Sequence, residues 1–117
     1  MNYEQKPLVY IAGKLNSDAC GYISNLKVML DVGEIVRSCG VSICVPGNDF
    51  LSGLINGKLT YEDYIQNSMD LLTRCDAVFV CPGFMKSKGP LKEIEEAGVR
   101  QIPVFYDFQH LLQWVKK

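Results

Sequence analysis

A chain of 117 residues carrying 12 Lys and Arg against 13 Asp and Glu has a net charge of −1, so no global field draws it to nucleic acid or to an anionic membrane surface. That length suits one hydrophobic core rather than two, and a single domain over residues 1–117 is expected. The hydrophobic share of 48% and charged share of 21% are those of ordinary globular chains and exclude a disordered or fibrous class.

Residues 1–7 are polar, and the first apolar run, Leu8 to Ala12, is too short for a signal-peptide core or a membrane span. The five cysteines, Cys20, Cys39, Cys44, Cys75 and Cys81, are odd in number and lack CxxC spacing. They read as structural thiols in a reducing, cytoplasmic setting, with no metal site.

In chain order, LVYIA at Leu8–Ala12 reads as a β-strand ending at Gly13. A helix is expected from about Tyr22 to Cys39, with Ile23, Leu26, Leu30, Val32/Gly33 and Val36 on its apolar side and Gly40 as its stop. Val41–Val45 is a second strand, halted by Pro46-Gly47. Residues 46–60, PGNDFLSGLINGKLT, form a long irregular stretch with an apolar half at Phe50, Leu51, Leu54 and Ile55, a length usually reserved for functional loops. Thr60 is placed to cap a helix over Tyr61–Arg74, with Asp63 completing a capping box. Ala77–Cys81 is a third strand, apolar throughout as a strand covered on both faces should be. Pro90–Gly98 is a short helix with proline in its first turn. Ile102–Tyr106 is a fourth strand, and Phe108–Lys116 a closing helix with Leu111, Leu112 and Val115 inward.

Strands alternating with helices imply an α/β fold: a small doubly wound (Rossmann/flavodoxin-like) parallel sheet of four to five strands with helices on both faces. Three strand ends, Ala12-Gly13-Lys14, Val45-Pro46-Gly47 and Cys81-Pro82-Gly83, then meet at the carboxyl edge, where ligands bind in such sheets. Neither GxGxxG nor a Walker A sequence is present, so dinucleotide and NTP-hydrolase readings lack their fingerprints. Glu93, expected in the first turn of its helix, should be held ionised near neutral pH by the unpaired N–H groups there, which suits a nucleophile or base. Lys86-Ser87-Lys88-Gly89, just before that helix, offers ammonium groups, a hydroxyl and backbone donors to a phosphate, although Pro90 deletes one donor. His110, the single histidine, sits in the closing helix away from this edge, which argues against a Ser-His or Cys-His nucleophile system.

The segments Val9-Tyr10-Ile11-Ala12-Gly13 and Cys75-Asp76-Ala77-Val78 running into Pro82-Gly83-Phe84, Ser87, Gly89, Glu93 and Ala97 resemble the nucleoside 2-deoxyribosyltransferase-like superfamily, which includes nucleotide N-glycoside hydrolases. The chain looks closest to small, often phage-borne, uncharacterised members. The resemblance implies cleavage or transfer of the N-glycosidic bond of a (deoxy)nucleoside or its 5′-monophosphate. Glu93 would be the catalytic nucleophile and Tyr10 the residue that steadies it. Gly13, Lys14, Ser68, Gly83, Ser87 and Gly89 would bind substrate, with Ser87 on the phosphate. No cofactor is implied, and the partner is a small nucleoside or nucleotide bound by a homo-oligomer, for which Phe50–Ile55 and Trp114 are candidate interface residues. The family places an aspartate for the leaving base where this chain has Ser68; Asp70 lies about 200° round the helix, leaving Asp49 or Asp63 as replacements. A non-catalytic nucleotide-binding or sensing module using the same pocket is the alternative, and a plain structural or oligomerisation domain is a third.

Overall fold

The computed structural model describes residues 3–13, 19–46, 57, 60–83 and 88–117, and among these four parallel strands alternate with four helices. The elements are β1 (Leu8–Ala12), α1 (Ala19–Arg37), β2 (Ser42–Cys44), α2 (Tyr61–Leu72), β3 (Ala77–Val80), α3 (Lys88–Val99), β4 (Val104–Phe105) and α4 (Phe108–Lys116). The sheet order is β2-β1-β3-β4, so the doubly wound α/β expectation is met with four described strands. In register, Tyr10 of β1 sits opposite Cys44 of β2 and Val78 of β3, and Phe79 opposite Phe105 of β4.

Strand alternation divides the core into two. Val9, Ile11, Ala77 and Phe79 face Leu26, Met29, Val32 and Val36 of α1 and Leu111 of α4. The Phe79 and Phe108 rings stack there at a centroid distance of 4.8 Å. Tyr10, Ala12, Val78 and Val80 point the other way, toward Leu72 at the end of α2, Cys75 and Ala97 of α3. Every residue of β3 is buried, as its continuous apolar run requires. Asp76 fixes where β1 and β3 begin to pair: its carboxylate accepts from the Leu8 N–H at 2.7 Å, and its own N–H donates to the Leu8 carbonyl at 2.7 Å.

Local signals hold at several ends. Thr60 caps α2 through a complete capping box with Asp63, and Gly40 follows α1 at φ +98°, where an L side chain would be strained. The inward face of α1 differs from expectation. It centres on Met29, while Ile23 and Leu30, about 120° and 100° round the helix from it, are exposed. In α4, Leu111 is buried, Val115 is half-buried, and Leu112 turns to solvent. Trp114 packs at the edge of the core against Phe105 at 5.5 Å, while the Phe50–Ile55 segment lies outside the described residues. Among the described residues no helix is long and apolar enough to cross a membrane.

Candidate functional site

The chain leaves β1 to form β2 on one side and later returns to place β3 on β1's other side. This reversal makes the carboxyl ends of β1 and β3 the topological switch point, the place where doubly wound sheets hold ligands in a crevice. The two ends are tied together, because the Cys81 N–H donates to the Ala12 carbonyl at 2.8 Å. Gly13 is buried at the end of β1. Gly83 turns the chain away from β3 at φ +86° with open space around its α-carbon, a conformation glycine adopts without strain.

Beside this crevice, on the α2–α3 face, three buried polar side chains converge. Tyr10, mid-way along β1, is fully buried; Ser68 of α2 is 1% exposed and Glu93 of α3 is 8% exposed. Ser68 acts on the Tyr10 hydroxyl, and Tyr10 in turn on the Glu93 carboxyl. Even so, Tyr10 Oη, Ser68 Oγ and Glu93 Oε2 are each buried without a well-formed hydrogen bond among the described residues. An unsatisfied buried polar atom costs about 1–3 kcal/mol, and native structures keep few of them. Among the described residues these three are the buried side-chain polar atoms in this condition.

The electrostatics follow from this burial. Desolvation pushes the Glu93 carboxyl up to about 8, against a smaller stabilisation of its charged form by the Tyr10 hydroxyl. Glu93 is therefore protonated near neutral pH in the free protein, which corrects the expectation of an ionised carboxylate. The reason lies in the helix: α3 begins at Lys88 and has no acidic residue in its first turn. Glu93 thus stands in the second turn, beyond the strongest effect of the unpaired N–H groups, and loss of water decides its charge. Burial, then the neighbouring Glu93 and Tyr64, raise Tyr10 well above the ordinary phenol range. Cys81, just past β3, is pushed up to about 12 by burial and by Glu93. Cys75 is raised by its hydrogen bond with Cys44 and by burial.

The remaining expected residues divide clearly. Gly89 is the second residue of α3; Gly83 is exposed at the crevice rim. Lys14, Ser87, Lys86 and Asp49 lie outside the described residues. Asp63 is exposed and committed to the cap of α2, and Asp70 accepts from Gln66 at 3.2 Å, so neither stands in for an acid at Ser68. His110 pairs with Asp107 at 2.6 Å on α4, which packs on the opposite sheet face. Tyr64, buried and electrostatically coupled to Tyr10, was not anticipated. Its signal is positional, since it lies four residues before Ser68 and so shares its helix face. Among the described residues no group of three or more His, Cys, Asp or Glu is arranged to hold a metal. A surface cleft of about 370 Å³ lined by Tyr106, Asp107, His110 and Trp114 shares no residue with the cluster.

Fold and site together define a doubly wound α/β protein with an uncharged carboxyl–hydroxyl cluster beside its switch-point crevice. Residues 7–106, spanning β1 to β4, match the family described as Domain of unknown function (DUF4406), and the chain belongs to that family. No protein of curated function matches it.

Proposed function

We propose that the protein cleaves or transfers the N-glycosidic bond of a (deoxy)nucleoside or its 5′-monophosphate, with Glu93 as the nucleophile. The supporting observation is the carboxyl itself, buried beside the switch-point crevice against the Tyr10 hydroxyl. In such a setting a developing positive charge at the anomeric carbon interacts with the carboxylate far more strongly than in water. The carboxylate then bonds to that carbon as the base departs, and water or a second base releases the sugar, as in retaining glycosidases. Tyr10 donates to the charged carboxylate, while Gly13, Gly83, Ser87, Gly89 and Lys14 line the substrate. Homo-oligomer assembly and a reducing, cytoplasmic setting belong to the same proposal; Cys39, Cys75 and Cys81 being free thiols is in keeping with that setting.

The test is to incubate the purified protein with deoxynucleosides and their monophosphates and measure free base by chromatography. Wild type releases base and Glu93→Ala does not; equal release by both removes Glu93 from the mechanism. Only ionised Glu93 attacks, so kcat/KM of the free protein rises with pH until about 8 and then levels, the behaviour of an essential base. A flat profile between pH 5 and 8 contradicts the assignment.

A second reading, a nucleotide-binding module without turnover, is favoured by Ser68, whose hydroxyl is no acid for a leaving base, and by the uncharged state of Glu93. Ligand that is held tightly and recovered intact supports it.

A further inference from the structure

We propose that Ser68 is a positioning residue that acts on Glu93 only through Tyr10, its hydroxyl orienting the phenol so that the phenol's proton is aimed at the carboxylate. This deepens the glycosidic reading and rests on it for its catalytic consequence, though not for its physical basis.

Three observations carry it. First, the two helices α2 and α3 contact each other on the sheet face to which Tyr10 points, and Tyr10 packs there with Leu72 and Ala97, each one helical turn beyond Ser68 and Glu93. Second, the three polar atoms at Tyr10 Oη, Ser68 Oγ and Glu93 Oε2 are all buried and unpaired among the described residues. Third, Ser68 is a poor choice for stability alone. In a helix interior alanine is the better former, and at 1% exposure it would leave no hydroxyl to satisfy.

The groups around Glu93 make the chain directional. Among the described residues Tyr10 on β1 and Cys81 after β3 interact with it, while Cys44 on β2 and Tyr64 and Ser68 on α2 interact with Tyr10. Ser68 favours the charged form of Tyr10, as a donor to its oxygen does, and Tyr10 favours the charged form of Glu93. Among the described residues no Lys, Arg or His acts on this carboxyl. The phenol is then the group through which α2 reaches Glu93. An O–H that receives one hydrogen bond gives a stronger one, so Ser68 strengthens what Tyr10 offers to the carboxylate.

The experiment is a titration of the Glu93 side-chain carbon by 13C NMR in the full chain, the signal assigned by its loss in Glu93→Gln. Thermal melting confirms that each variant is folded. Ser68→Ala moves the midpoint up by about half to one pH unit, the worth of one modest hydrogen bond. Tyr10→Phe moves it at least as far, Ser68→Thr restores the wild-type midpoint, and Ser68→Ala adds nothing in the Tyr10→Phe background, the non-additivity of a serial contact. A folded Ser68→Ala with an unchanged midpoint overturns the proposal, and so does an additive shift in the double variant. Because the titration needs no substrate, absence of base release would count against the glycosidic reading while leaving this result to stand or fall separately. If base release is found, the rising limb of kcat/KM moves with the NMR midpoint in Ser68→Ala.

Discussion

Replacing Glu93 by glutamine should shift the stability difference between the two proteins in favour of the variant as pH rises. An unfolded carboxyl titrates near 4.5, whereas burial raises the folded group to about 8. Between those values the native chain holds a proton that the unfolded chain has released, so wild-type stability falls as pH rises through the window. Below 4.5 both states are protonated and above 8 both have lost the proton, so the contribution levels off on either side. The slope approaches about 1.4 kcal/mol per pH unit, and between pH 5 and pH 7 it accumulates to roughly 2–3 kcal/mol. Glutamine keeps the size of the protonated acid and has no proton to lose, so Glu93→Gln escapes this decline. Its amide needs a partner of its own, which fixes an offset of either sign but not the pH dependence. Urea denaturation from pH 5 to 8, followed by far-UV circular dichroism, reads the difference directly. For a domain of this size the melting temperatures of the two proteins should diverge by roughly 8–12 °C between pH 5 and 7. A difference that is flat with pH, or wild type gaining on Glu93→Gln as pH rises, would refute a buried neutral carboxyl.

Two structural predictions follow from the sheet and its caps. Asp76→Ala removes the acceptor of the Leu8 N–H and should cost about 1 kcal/mol in urea denaturation, since the carboxylate is exposed; Asp76→Asn, which keeps an acceptor oxygen, should lose less. Thr60→Ala removes the hydroxyl that accepts from the Asp63 N–H, one half of the capping box of α2, and leaves the backbone N–H of residue 60 on the Asp63 carboxylate; it should cost about 0.5–2 kcal/mol, with a smaller loss for Thr60→Ser. Because α2 also carries Ser68, Thr60→Ala should speed amide exchange across Tyr61–Leu72 before it affects β1 or β3.

The fold was legible because its signals are local and agree with one another. LVYIA and Phe108–Lys116 fall where their patterns place them, and the Thr60-x-x-Asp63 box forms as its spacing requires. Errors arise where tertiary packing chooses among equivalent residues. Nothing in the composition of α1 says whether Met29 or Leu30 faces the sheet, and a rotation of about 100° decides it. The short edges of β2 and β4 are likewise set by pairing, because a terminal residue of high β propensity joins the ladder only if a neighbour's backbone lies opposite.

The site shows the same division more sharply. Period-two alternation already sends Tyr10 to the opposite face from Val9 and Ile11, and the β-α alternation puts Ser68 and Glu93 on helices that follow their strands right-handedly. Which residues meet was therefore accessible from the order of elements. Their charge was not. A carboxylate near a helix start is stabilised by about 0.3–1 kcal/mol at an exposed position, while desolvating a carboxyl costs several kcal/mol, so burial outweighs the dipole by a wide margin wherever the two compete. Burial depends on what α2 brings against α3, and that is a property of the assembled layers. The two start residues of α3 that pattern alone omitted compound the effect, since they move Glu93 from the first turn into the second. Glu93 is thus a group whose position the sequence announces and whose proton the fold decides. The hydroxyls of Tyr10 and Ser68, which carry no charge at neutral pH, are the means by which that proton is held or let go.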